Sequence, residues 1–373
     1  MSNIILNTDK CTGCSLCTIV CPVGAIKMID DYRGFRVPII DEHLCIECKK
    51  CVNTCDTKVE LKEVKETYIA KNNNIEVYKA SQSGGAFTAI SDYILDKGGI
   101  IYGAAFDEHL RVVHQRAISA QKRDEMRGSK YIQSNMEETY NSIQEDLKNG
   151  KYVLFVGTPC QVVAVLKFAE TKKLKSSKLY TVDILCHGVP SPCVWEDMKR
   201  YIENKYHSRI QSVKLVELEK QTRPALCMEV GDKLIPDILY RKLYYSNLAL
   251  RNSCYECKYN STSRVGDITI GDAWGVEKEN PSFNENRGVS LILFNTTKGL
   301  DIKNHIFSKM NVEKVEIDNY IQECLKTSAK VKRSKDAFWK EYQNKSFFYI
   351  VEKYAKHNPF LNINYIFKRI LKI

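Results

Sequence analysis

The chain has no uninterrupted apolar run close to the roughly 18–20 residues that cross a bilayer, so a helical transmembrane span is not expected. Its opening residues, MSNIILNTDK, hold neither a basic n-region nor an apolar stretch of signal-peptide length, and the expectation is a cytoplasmic protein. Neither the Walker A pattern nor G-x-G-x-x-G occurs, and no nucleic-acid fold motif is present. No internal repeat follows the N-terminal cysteine runs.

What is present is a chain of 373 residues, long enough for two or three domains. It is of ordinary polarity, 44% hydrophobic and 27% charged, as soluble globular chains are. Its fifteen cysteines are not ordinary. They begin at once, in short regular spacings, and without an export signal that pattern points to metal sites and away from disulfides. The net charge of +11 is uneven: residues 298–373 hold 16 Lys or Arg against 8 Asp or Glu, whereas residues 1–62 hold 8 of each. The basic excess therefore lies in the tail, as a docking face for an acidic partner or as a solvated surface.

Two cysteine runs share one spacing. Cys11, Cys14, Cys17 and Cys21 are followed by Pro22; Cys45, Cys48, Cys51 and Cys55 are followed by Asp56. This is the C-x2-C-x2-C-x3-C pattern of bacterial two-cluster ferredoxins. Three cysteines at two-residue intervals wrap one face of a cubane, and the fourth reaches across to the other cluster. Cys11, Cys14, Cys17 and Cys55 are thus expected to hold one 4Fe-4S cluster, and Cys21, Cys45, Cys48 and Cys51 the other. Zinc usually takes two pairs of ligands with a longer gap between them, which two matching quartets do not offer. The segment AIKMIDDYRGFRVPII between the runs reads as a hairpin turning near Asp31–Gly34.

Residues 58–79 read as a charged connector ending in a second hairpin, YIAK and IEVYKA, around Asn72–Asn74. From Ser81 strands and helices alternate. SQSGG opens a helix over Ala86–Asp96, and strands are expected at 100–105, 152–156, 179–185, 267–270 and 289–294, with strand character over 211–230. FDEHLRVVHQRAI reads as a hairpin near Glu108–His109. The end, NPFLNINYIFKRILKI, reads as an amphipathic basic helix that packs on the domain, with a membrane-surface role as the alternative.

Cys254 and Cys257 form a C-x2-C pair in CYECKY, for which a cluster and zinc compete. Cys160 and Cys186 each directly follow a strand, and strand C-terminal ends gather on one edge of an α/β sheet, where ligand sites lie. The four could converge on a third cluster, although a lone cysteine is more simply a small buried hydrophobe. Cys193, Cys227 and Cys324 read as structural. Three short loops could cradle an anionic cofactor: SQSGG, RGSKY and GTPC, two of them opening helices. Clusters pass single electrons while most metabolites react by two, and a flavin is the usual converter.

Taken together, SQSGGAFTA, MRGSKYIQS, VGTPCQVVAVLKF, DILCHGVPSPCVW, CYECKY and GDITIGDAWG resemble, in this order, the family of coenzyme F-420 hydrogenase/dehydrogenase beta subunits, from roughly Ser81 to Ile317. The resemblance implies a flavoprotein core that binds FAD with a 4Fe-4S cluster nearby, exchanging electrons between iron–sulfur centres and a hydride carrier. By position it implies Cys160, Cys186, Cys254 and Cys257 as ligands of a third cluster. It implies Ser83, Gly84, Gly85, Thr88, Arg127, Gly128, Ser129, Lys130, Gly157 and Thr158 as flavin contacts. His187 and Asp272 would lie near that centre as catalytic candidates, with His187 a proton donor because imidazole carries protons near neutral pH. A histidine that only bonds backbone is the alternative.

The expected fold is α+β: an N-terminal bacterial two-cluster ferredoxin fold, then a mixed α/β flavin- and iron–sulfur-binding domain. The expected boundaries are 1–62 for the ferredoxin, 63–150 and 151–325 for the N- and C-terminal domains of the beta-subunit core, and 326–373 for a basic helical tail. The expected function is an oxidoreductase passing electrons between ferredoxin-type clusters and FAD, to reduce or oxidise a deazaflavin or another small organic substrate. A ferredoxin-like protein is the expected electron partner, and exposed cubanes suit an anaerobic cytoplasm. The alternative is a non-catalytic electron-transfer subunit serving a partner enzyme.

Overall fold

A computed structural model describes residues 6–55, 60–217, 224–283 and 287–355. In the ferredoxin segment, β1 (Ile26–Asp30) and β2 (Arg36–Ile40) pair antiparallel around a turn held by Asp31, whose Oδ1 accepts from the amides of Arg33 and Phe35 at 2.9 Å each. Each cysteine run leads into a short helix, Leu16–Val20 and Lys50–Cys55. The third cysteine of each run, Cys17 and Cys51, is buried in a small core with Ile26. Asp56 lies outside the described residues.

The main body is one mixed sheet of eight strands: β3 (Glu66–Asn72), β4 (Ile100–Phe106), β5 (Val112–Ala117), β6 (Val153–Gly157), β7 (Leu179–Ile184), β11 (Ile268–Asp272), β12 (Ser290–Phe294) and β13 (Met310–Lys314). Their spatial order is β13-β3-β12-β11-β7-β6-β4-β5. β4, β6, β7 and β11 run parallel, while β5, β12 and β13 are antiparallel to their neighbours. The parallel centre explains the continuous apolar runs: every residue of Val153–Gly157 is buried, as expected for strands covered on both faces. Helices Ala86–Asp96 and Lys303–Ser308 cover one face, and Thr139–Lys148 and Pro159–Thr171 the other. The sheet mixes strands from both sides of residue 150, so segments 63–150 and 151–325 share one core.

A second, three-stranded sheet, β8 (Ile210–Val216), β9 (Ala225–Val230) and β10 (Lys233–Pro236), is antiparallel. It packs with helices Pro192–Tyr206, Ile238–Tyr245, Lys335–Tyr342 and Phe347–Tyr354 around Trp195, Phe338 and Trp339. Residues 326–355 therefore contribute helices to a core; the stretch 358–373, expected as a basic helix, lies outside the described residues.

Of the strand stretch expected over 211–230, residues 218–223 lie outside the described residues; the strands expected after Ser81 otherwise form, as does the hairpin at Glu108–His109. The hairpin expected at Asn72–Asn74 does not. YIAK lies in β3, but IEVYK is a helix over Ile75–Lys79. The Asn74 side chain accepts from the amides of Glu76 and Val77, capping that helix, while both edges of β3 are already taken by β12 and β13.

Candidate functional site

The second cysteine set is the most openly formed. Cys21, Cys45, Cys48 and Cys51 line one recess together with Val23, Ala25, Ile26, Ile40 and Ile46. For the first set, the sulfurs of Cys14, Cys11 and Cys55 all act electrostatically on Cys17, whose thiol burial pushes far up. Cys51 acts on Cys17 as well, so the two sets lie side by side; the recess groups Cys21 with the second run, as the crossed pairing expects.

The main sheet gathers its site on one edge. β7 ends at Ile184 and runs into Cys186 and His187; β6 ends at Gly157 and runs into Thr158 and Cys160; β11 ends at Asp272. Cys254 and Cys257 come from a turn of 3-10 helix at Asn252–Glu256. Its exit is fixed by Arg264, whose guanidinium donates to the carbonyls of Tyr259 and Ser261 at 3.0 Å and pairs with Asp183 at 2.9 Å, both partners fully buried. Burial raises the thiols of Cys160 to about 12 and of Cys254 to about 11, and raises Cys186 and Cys257 as well. Cys186 feels the sulfurs of Cys254, Cys160 and Cys257, so the four cysteines share one neighbourhood. Backbone amides also point at this sulfur group, the Val189 N–H to Cys254 Sγ at 3.4 Å among them. Among the described residues no group of His, Cys, Asp or Glu is drawn together closely enough to hold a single metal ion.

The first and third sets meet. Tyr140 feels Cys14, Cys17 and Cys160, and Tyr259 feels Cys160, Cys257, Cys14 and Cys55. Arg251, only 3% exposed, donates from Nη1 to the carbonyl of Cys11 at 3.1 Å, from Nη2 to that of Arg36 at 3.0 Å, and from Nε to Gln133 Oε1 at 2.9 Å. Gln133 in turn donates to the carbonyl of Thr12 at 2.8 Å. A Cβ at position 13 would meet Arg251 Nη2 and Gln133 Nε2 at 2.6 Å, which is why this turn, at φ +69°, carries glycine. Ser191 donates to the carbonyl of Arg33, and Arg36 pairs with Glu137 at 2.7 Å. Gln133 and Tyr259 lie inside the motifs MRGSKYIQS and CYECKY but are not among the site residues expected there, and Arg251 and Tyr140 lie outside every motif; a cation three residues before a C-x2-C pair is the one signal for Arg251.

The loops expected to hold flavin divide into two groups. SQSGG and RGSKY come together: the Ser129 amide donates to Gln82 Oε1 at 2.5 Å, and Arg127 Nε donates to Thr88 Oγ1 at 3.1 Å. Lys130 donates to the carbonyls of Glu125 and Arg127 at 2.9 and 2.8 Å. Ser83 Oγ is buried without a partner, and so is Nη1 of Arg287, a residue not anticipated from sequence. The Arg287 guanidinium is paired through Nη2 with Glu217, so only its Nη1 and the Ser83 hydroxyl are left over for a ligand. The glycines serve partly another purpose. A Cβ at Gly84 would meet the Ala70 carbonyl oxygen at 2.0 Å, and one at Gly128 the Leu215 side chain at 2.2 Å, so protein atoms fill that space. Gly85, at φ +84°, precedes its helix.

Gly157 and Thr158 sit with the cysteines. Thr158 caps the helix that starts at Pro159, exchanging hydrogen bonds with Gln161, and its hydroxyl lies 3.2 Å from Cys160 Sγ. Gln161 is held by Ser134, which donates to His114, whose Nε2 donates to the Val156 carbonyl at 3.0 Å. His187 does not bond backbone: its Nε2 donates to Asn247 Oδ1 at 2.6 Å, with the ring against Tyr244. Tyr244 packs on Tyr131, which joins the RGSKY loop to this side, and Asp272 acts on Tyr131. The aromatic cluster of Tyr131, Tyr244 and Tyr245 therefore stands between the loops and Cys254.

Residues 150–320 match the profile of the C terminus of the coenzyme F420 hydrogenase/dehydrogenase beta subunit, and residues 10–59 that of a 4Fe-4S dicluster domain. The chain is 24% identical over 350 residues to the coenzyme F420-dependent sulfite reductase of Methanocaldococcus jannaschii, covering 87% of this chain and 50% of that one. It is 24% identical over 196 residues to a subunit of the F(420)H(2) dehydrogenase of Methanosarcina mazei, covering 49% and 54%. The chain thus spans about half the length of these relatives. A chain of the F420-reducing [NiFe] hydrogenase complex from Methanosarcina barkeri is similar at a TM-score of 0.47 and 19% identity, over 80% of this chain and 94% of that one.

Proposed function

We propose that the chain is an iron–sulfur flavoprotein oxidoreductase, because residues 150–320 match the C terminus of the coenzyme F420 hydrogenase/dehydrogenase beta subunit and residues 10–59 a 4Fe-4S dicluster domain. Electrons would run between an outer protein partner, such as a ferredoxin, and a deazaflavin or other small organic substrate. The observation that carries this reading is the meeting of the Cys11–Cys14 loop with Cys160 and Cys254 across Tyr140, Arg251 and Tyr259. An internal wire needs such a junction, and a detached ferredoxin would not.

Three cysteine sets would hold the metal: Cys21, Cys45, Cys48 and Cys51 outermost; Cys11, Cys14, Cys17 and Cys55 next; Cys160, Cys186, Cys254 and Cys257 innermost. Clusters held there supply single-electron transfer, and FAD supplies the conversion between one- and two-electron chemistry. Ser83, Gly84, Gly85 and Thr88, with Arg127–Lys130, would hold the flavin, and Arg287 joins them. Gly157 and Thr158 serve the inner cysteines. His187, oriented by Asn247, is the proton donor, and Asp272 lies on the same sheet edge. The outer set faces solvent: Cys48 is exposed, beside Leu44 and Ile46 at 51% and 60% exposure. That rim suits a docking partner.

Anaerobic purification with metal and flavin analysis tests the reading: about twelve irons and one flavin per chain are expected for three clusters. About eight irons, no flavin and one zinc would overturn it. For His187→Ala, full turnover with an unchanged pH profile would remove the histidine from catalysis. A second reading, an electron-transfer subunit of a larger enzyme, is favoured by the likeness to one subunit of a dehydrogenase. An isolated chain that oxidises reduced viologen only when a partner is added would establish it.

A further inference from the structure

Arg251 is a buried cation in an unusual position. Its three hydrogen bonds go to two backbone carbonyls and an amide oxygen. Among the described residues no carboxylate forms an ion pair with it. The plane of its guanidinium also rests against the Phe35 ring, 4.7 Å from the centroid, so water does not solvate that face. A desolvated charge is costly unless negative charge stands nearby. Burial opposes its charge most, and the groups that act to keep it are the sulfurs of Cys11, Cys254 and Cys160 and then Asp31; the amide of Cys254 also donates to the Arg251 carbonyl at 3.0 Å. Cys11 belongs to the first cysteine set, the other two to the third. Most of the compensating charge would come from the two cysteine sets, once metal binding has made their thiols thiolates, with the Asp31 carboxylate adding a smaller share.

We propose that Arg251 is the electrostatic bridge of the internal wire: a fixed positive charge, placed between the first and third cysteine sets, that raises the reduction potential of the centre on each side. The inference rests on the reading that both sets hold 4Fe-4S clusters. When one electron leaves the donor centre and arrives at the acceptor, one negative charge is lost on one side of Arg251 and gained on the other. No proton moves and no bond changes. A charge that stands between the two stabilises the electron in either place, so it favours reduction of both without creating a deep step between them. The same charge placed beside one set alone would trap the electron there. Arginine suits this role because it does not titrate, whereas a lysine in such a site can lose its proton. Arg251 acts through the cysteine sets and is a positioning residue, not a catalytic one.

The test is a redox titration, followed by electron paramagnetic resonance, of the full chain carrying Arg251→Gln or Arg251→Lys. With iron content equal to wild type, Arg251→Gln is expected to move two of the three reduction steps to lower potential. Each shifts by at least tenfold in the one-electron equilibrium, about 59 mV. The step belonging to the outer set of Cys21, Cys45, Cys48 and Cys51 stays in place. Arg251→Lys, at a pH where it stays protonated, is expected to restore both shifted steps to within threefold. Unmoved potentials in Arg251→Gln with iron intact would overturn the proposal, and so would an equal shift of all three steps. If Arg251→Gln loses iron, Arg251→Lys decides: wild-type potentials uphold the charge, and a tenfold drop overturns it. Loss of iron by both variants would overturn it in favour of a purely mechanical clamp. A wild-type protein holding only about eight irons would instead sink the cluster assignment on which the inference rests.

Discussion

Tyr140 donates its hydroxyl to the carbonyl oxygen of Cys14 across 2.7 Å, from a side chain with no exposure to solvent. Donor and acceptor belong to different parts of the chain, the helix Thr139–Lys148 and the first cysteine loop. Tyr140→Phe would keep the ring packed on Phe168 and delete only the hydroxyl. The Cys14 carbonyl would then lose its donor, at a cost of about 1–3 kcal/mol. A lower urea midpoint at unchanged slope, followed by cluster absorbance, is expected. An unchanged midpoint would mean that the carbonyl finds another donor.

Cys254→Ser and Cys257→Ser separate the third set from the other two. Each is expected to lose about four of about twelve irons while the ferredoxin signals persist. Loss of zinc with no loss of iron would assign the C-x2-C pair to zinc instead.

Thr158 has one hydroxyl proton and two neighbours that can take it, Gln161 Oε1 at 3.1 Å and Cys160 Sγ at 3.2 Å. When Cys160 is a metal-bound thiolate, the hydroxyl can turn to it, and a hydrogen bond to a ligand sulfur tunes a cluster's potential. Thr158→Val is expected to lower the potential of the inner cluster alone, at full iron content, and Thr158→Ser to leave it in place. A redox titration reads both.

His114 makes the protein sensitive to acid. Burial lowers its pKa from 6.5 to about 4, so the folded chain keeps it neutral. Below about pH 6.5 the unfolded chain takes up a proton that folded His114 refuses, and stability falls as pH drops from there towards 4. Above pH 6.5 this contribution is constant. Between pH 7 and pH 5 the loss is about 2 kcal/mol. Urea midpoints at the two pH values measure it, and His114→Gln should flatten the difference. An equal acid loss in that variant would place the sensitivity elsewhere.

The parts legible in the sequence are those encoded over short spans. Ligand spacing in the ferredoxin is local, and so are the strand ends that deliver Cys160 and Cys186 to one edge. The failure at Asn72–Asn74 is also local: IEVYK alternates like a strand, but an asparagine cap and two occupied strand edges make it a helix. Arg251 is out of reach for the opposite reason. Its bond to Cys11 spans 240 positions, and nothing in the residues around it foretells that partner. The glycines show a third limit. Gly84 and Gly128 read as openings for a ligand, yet the protein's own atoms fill the space beside them. A missing side chain does not say which neighbour required its absence.

β3 directly follows the ferredoxin segment but is completed by β12 and β13, strands that leave the ribosome about two hundred residues later. During synthesis, the iron-binding loops can therefore close around their metal well before the sheet that flanks them exists. The order of chain elongation puts assembly of the outer clusters ahead of the junction at Arg251.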